Sequence, residues 1–96
     1  MIRHVALFRW KPGFPPADLA EWTDRLRALP ERVDGLCSLT VGPDRLHGER
    51  SWDAAAVAEV DSLADLPGYL GHPEHQAVAR ISAPHLAQLA MVDFEV

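Results

Sequence analysis

Apolar and polar side chains alternate along residues 2 to 10. Ile2, His4, Ala6, Phe8 and Trp10 fall on one side of an extended chain, and Arg3, Val5, Leu7 and Arg9 on the other. That period of two predicts a first strand, Ile2 to Trp10. Pro-Gly at 12 and 13 and Pro-Pro at 15 and 16 end it, after which Leu19, Trp22, Leu26 and Leu29 recur at helical spacing until Pro30. Asp34-Gly35 turns the chain into a second strand, Leu36 to Val41, closed by Gly42-Pro43-Asp44. A polar connection containing His47 and Gly48 leads to a third strand, Trp52 to Val60. Ser62-Leu-Ala-Asp65 has the form of a helix cap, and Pro67 places the start of a short helix near Asp65 and its end at Leu70. A further helix is expected from Glu74 to about Ile81, between breaks at His72-Pro73 and Ala83-Pro84. The stretch Leu89 to Val96 sets Ala90, Val92, Phe94 and Val96 against Met91, Asp93 and Glu95, and reads as a fourth strand.

The order β, α, β, β, α, α, β, without repeats or linkers, describes one α+β domain: a sandwich with helices on one face of a four-stranded, mainly antiparallel sheet. The other face carries Val5, Leu7, Ala55 and Val57 and has no helix of its own, so a second copy of the chain is its expected cover. On the third strand Trp52, Ala54, Ala56, Ala58 and Val60 share a side, and the three alanines leave little side-chain volume there. Such a face either admits a helix at close range or borders a pocket.

Composition narrows the partners. A length of 96 residues gives one domain with a small core, a size at which oligomerisation often adds burial. With 14 acidic residues against 9 Lys and Arg, the formal charge of −5 disfavours nucleic acid and anionic membranes. The single cysteine, Cys37, has no disulfide partner and stands in an apolar run where Cys is usually a small buried hydrophobe. Residues 1 to 10 lack the uninterrupted apolar segment of a signal peptide or membrane span, and a soluble cytoplasmic protein is expected.

Proton-transfer chemistry concentrates in Tyr69-Leu-Gly-His-Pro-Glu-His75. Along an unbroken helix Tyr69 and His75 would lie roughly 240° apart. Pro73 forbids that continuation, and a break lets the two side chains converge. His75 would then occupy the first turn of a new helix, where free amides and the macrodipole disfavour an imidazolium, and a neutral ring can act as a base. Tyr69 could donate to a substrate oxygen that gains negative charge, or be a buried ring with a satisfied hydroxyl. His72 caps the second helix, closes the turn or joins a ligand site, and His4 is either a core histidine or a pocket wall. His72 and His75 have the spacing of two metal ligands, but no third ligand accompanies them, so no metal is expected. A nucleophile elbow and a phosphate-binding glycine loop are both missing, and no cofactor is expected.

On these residues the chain resembles the stress-responsive A/B barrel family, a branch of the dimeric α+β barrel superfamily. The likeness rests on Ile2 to Lys11, Val41-Gly-Pro-Asp44, Trp52-Asp53, Tyr69 to His75 and Val92-Asp-Phe94. It implies a ferredoxin-like sandwich whose two copies pack sheet to sheet into a barrel, with a small-molecule pocket between each sheet and its helices. The family contains stress-induced proteins and polyketide cyclases. In the cyclases the tyrosine and last histidine of the kinked motif are functional, positions held here by Tyr69 and His75, and a pocket histidine on strand one matches His4. A further pocket histidine of the plant cyclase, on strand three, is replaced here by Ala54. The expectation is therefore a homodimer holding a small apolar or polyketide-like ligand among His4, Ala6, Phe8, Trp22, Ala54, Ala56, Ala58 and His72. Tyr69 and His75 would supply cofactor-free aldol or Claisen-type cyclisation. A non-catalytic stress-response or ligand-binding dimer is the rival, and cofactor-free oxygenation or isomerisation a third reading.

Overall fold

The computed structural model describes residues 1–96. Its elements run β1 (Ile2–Trp10), α1 (Pro16–Arg32), β2 (Leu36–Pro43), β3 (Ala54–Val60), a 3-10 turn (Leu63–Asp65), α2 (Leu66–Leu70), α3 (Pro73–Ser82), a second 3-10 turn (Ala83–His85) and β4 (Leu86–Glu95). The sheet order is β2-β3-β1-β4 with every pair antiparallel, which is the ferredoxin-like sandwich. No helix is long and apolar enough to cross a membrane.

Helix α1 opens with Pro16 at its first position, where a missing amide hydrogen costs nothing. Its buried stripe of Trp22, Leu26 and Leu29 meets Leu36, Leu39 and Val60 from the sheet and Val78 from α3 in one core. Pro30 does not end the helix, as its sequence suggested, since α1 continues to Arg32. So near the C-terminus the proline forfeits a single ladder bond, and the last turn is held by the burial of Leu29 and Val33 and by Val33 N–H donating to the Leu29 carbonyl at 2.9 Å.

The strands also differ from the expected ones, two in where they start and one in its register. Strand β3 begins at Ala54 because Asp53 is engaged elsewhere: its amide donates to the Phe8 carbonyl at 2.8 Å and its carboxylate accepts from the Trp10 amide at 2.7 Å. Trp52 therefore does not join the alanine face; its ring lies 4.5 Å from the Arg9 guanidinium, which belongs to the opposite side of the sheet. Strand β4 starts at Leu86, where a register shift between Arg9 and Trp10 allows pairing with Trp10. In β2 the register against β3 slips between Leu36 and Ser38. This bulge turns both Leu36 and Leu39 into the core and leaves Cys37 exposed, contrary to the burial its apolar neighbours implied.

Candidate functional site

The kink after α2 is built from local chemistry. Asp65 accepts from the Ser62 amide at 3.2 Å and starts the segment, and Gly71 N–H donates to the Pro67 carbonyl at 2.9 Å where α2 ends. A side chain at Gly71 would crowd that carbonyl at 3.1 Å. Pro73 then opens α3, and the His72 ring nitrogen Nδ1 accepts from the Glu74 amide at 3.0 Å as its N-cap. Glu74 also faces Arg25 and Arg32 of α1, each at 3.9 Å, which ties the two helices together.

The break brings the rings of Tyr69 and His75 to 4.7 Å, edge to face. The ring of His4 lies 6.1 Å from that of Tyr69 on the sheet side. These three groups border a cavity of about 190 Å³ between sheet and helices. Its floor is His4, Ala6, Phe8, Ala56 and Ala58; α1 contributes Trp22 and Leu26; and α3 contributes His75, Val78, Ala79 and Ser82. Leu86, Leu89 and Met91 form its border along β4.

Two expected lining residues lie outside. Ala54 pairs with Phe8 at the end of β3, where the Phe8 ring stands 5.0 Å from Trp22 and 5.2 Å from Trp10. This aromatic group fills the space over that end of the sheet, and the alanine face reaches the cavity only at Ala56 and Ala58. His72 is likewise outside the cavity lining, because its ring is turned back onto its own helix as the cap.

Three further side chains matter. Asp93, directly across from His4 on β4, meets His4 Nδ1 at 2.5 Å and fixes the ring of this buried histidine. The α3 residues Val78 and Ser82 join His75 at helical spacing, a pattern present in the sequence as 75, 78, 79 and 82. The Asp93 contact had no such signal, since it depends on the register between the first and last strands.

Burial pushes the His75 ring below its ordinary pKa; the Leu70 carbonyl opposes this, and His4 adds to it. The helix terminus was expected to lower it too, but desolvation is the leading cause. His75 Nδ1 is buried without a hydrogen-bond partner. Tyr69, buried among apolar groups, has its hydroxyl pushed up to about 12 and stays protonated as a donor. No group of three or more His, Cys, Asp or Glu side chains is arranged to hold a metal ion.

The model of the stress responsive A/B barrel domain matches residues 2–96. The chain belongs to this family. A dimeric ferredoxin-like protein of unknown function from Thermobifida fusca YX is similar at 34% identity, over 99% of this chain and 90% of that one, with a TM-score of 0.88. A dimeric protein of the same fold and unknown function from Bacteroides fragilis NCTC 9343 shares 29% identity over 99% and 95% of the two chains, also at 0.88. A hydroxynitrile lyase from Passiflora edulis has 16% identity over 99% and 92%, at a TM-score of 0.83, and shares the fold. No curated protein matches this A/B barrel chain in sequence.

Proposed function

We propose that this A/B barrel protein is a homodimer that binds a small, mostly apolar carbonyl compound and moves a proton on it without a cofactor, in an aldol-type cyclisation. The observation that carries this reading is the buried, unpartnered Nδ1 of His75, beside the Tyr69 ring on the wall of an apolar cavity. A buried polar nitrogen without a partner costs stability, and an incoming donor or acidic C–H group would relieve it.

In the first step neutral His75 takes a proton from the carbon between two carbonyls, and the electron pair moves onto the carbonyl oxygen. Tyr69 donates its O–H to that enolate oxygen, where charge develops. The enolate carbon then attacks a further carbonyl of the same molecule, beyond the two that flank it, a carbon–carbon bond forms as that carbonyl's π bond opens, and the imidazolium returns its proton to the new alkoxide. Asp93 orients His4 as a third polar wall.

Proton exchange tests this without a known substrate. Incubated in deuterium oxide with 2,4-pentanedione, the protein should accelerate exchange at the central carbon, and His75→Ala should remove most of the roughly 10² to 10⁴-fold that a general base supplies. Tyr69→Phe should cost less. Binding of the diketone with no acceleration of exchange would favour the non-catalytic ligand-binding dimer.

A further inference from the structure

We propose that the cavity selects uncharged molecules of about one ring in size and rejects both carboxylates and longer chains, an inference that rests on the cavity being the functional site as argued above. Size supports the first half. An apolar cavity of about 150 Å³ takes benzene, and a water occupies about 30 Å³, so about 190 Å³ holds a single ring with a substituent of one or two heavy atoms. On the helix side the walls are fixed, since Trp22, Leu26 and Val78 belong to the buried core and cannot retreat without opening it, whereas the border at Leu89 and Met91 is exposed. A poly-β-keto chain of ten or more carbons would have to leave most of its length outside.

Charge supports the second half. The only polar side chains on the lining are His4, Tyr69, His75, Ser82 and the Trp22 indole, and no Lys or Arg reaches it. Of the two histidines, His4 already faces the Asp93 carboxylate, and Ser82 already donates to the Ala79 carbonyl at 3.2 Å. An anion placed here would be desolvated with no free cation to offset it, and the carboxylate of Asp93 would repel it. A neutral carbonyl or hydroxyl can meet the Tyr69 hydroxyl and the unpartnered His75 nitrogen without bringing a charge out of water.

Calorimetric titration at pH 7 with four probes decides the matter: acetophenone, benzoate, 2-acetonaphthone and 2,4-dodecanedione. Acetophenone should bind, and the three others should be weaker by a factor of about ten or more. In the Ala56→Leu variant, checked for folding by circular dichroism, acetophenone binding should disappear. If benzoate or either larger ketone binds as well as acetophenone, and Ala56→Leu abolishes that binding, the site reading stands and the selectivity inference is overturned. If no probe binds to the folded wild-type protein, or acetophenone binds Ala56→Leu unchanged, the inference fails together with the reading of the cavity.

Discussion

The two faces of the sheet are built from neighbouring residues of the same strands, yet they reach opposite ends. On the helix side, Ala6, Ala56 and Ala58 lie under side chains as large as Trp22 and Tyr69, which hold the helices away from the sheet and leave the cavity between. On the other side, Val5 is flanked by Val57 and Val92, and Leu7 by Ala55 and Ala90, with Phe94 opposite Arg3. Nothing in the chain covers this second face, and Val92 is 61% and Phe94 42% exposed. Its ends are polar: Arg3 pairs with Glu59 at 3.3 Å, and Arg9 bonds Gln88 at 2.9 Å while lying over Trp52. An apolar centre with a charged border is the anatomy of a protein interface. The contrast teaches that small residues make a pocket only where large ones prop up the layer above, while medium-sized residues with no layer above them call for a second copy.

Placing a charge on the open face should have the largest effect. Leu7→Asp would bury an unpaired carboxylate in the interface, at a cost on the order of 3 to 5 kcal/mol. Sedimentation should show the wild-type chain at twice its mass and the variant as monomer or aggregate; an unmodified chain that sediments as a stable monomer would remove the barrel dimer. The matching change on the covered face, Ala56→Leu, should be milder. If the space above Ala56 is empty, stability should change by less than about 1 kcal/mol, whereas overpacking costs roughly 1 to 3 kcal/mol. Chemical denaturation separates the two.

Much of this contrast was legible in the alternation of residues 2 to 10, because a strand's period of two assigns every side chain to a face once one is placed. The convergence of Tyr69 and His75 was legible as well, since Pro73 dictates a break whatever packs around it. Contacts that depend on register were hidden. Asp93 meets His4 because β4 happens to pair with β1 at that offset, and Ala54 misses the cavity because the rings of Phe8, Trp10 and Trp22 gather at its end of the sheet. The place of His72 just before Pro73 favours a cap or turn-closing residue over chemistry, and its ring does accept from the Glu74 amide, turned away from the cavity where a ligand role would need it.

The covered face should also leave a signature in pH that the open face does not. His75 has a folded pKa below the ordinary value of 6.5, so between those two pH values the unfolded chain binds the proton and the folded chain does not. Stability from this group is therefore complete above about pH 6.5 and declines as pH falls from there towards the depressed folded value. Denaturation midpoints measured from pH 7.5 to 5 should fall, and His75→Gln should flatten that part of the slope. Nuclear magnetic resonance titration gives the direct check. A His75 midpoint above those of the other histidines would mean that the ring is held as a cation, and proton abstraction by it would have to be abandoned.

The smallest effect is expected at Cys37, where a bulge in β2 separates a residue from the face its neighbours occupy. Leu36 and Leu39 are three apart and both enter the core, a spacing that a regular strand would place on opposite faces. The bulge resolves the conflict by ejecting Cys37, whose thiol lies 3.5 Å from the Asp61 carboxylate and, through partial desolvation and that contact, is held above the usual thiol range. Cys37→Ser should then change stability by no more than about 0.5 kcal/mol, as for an ordinary surface position. A thiol reagent at pH 8 should label the native protein completely, slowly for a free thiol but without waiting for unfolding. Labelling that tracks global unfolding would place Cys37 inside, and with it the strand would have to run without a bulge, which would turn either Leu36 or Leu39 out of the core and onto the open face.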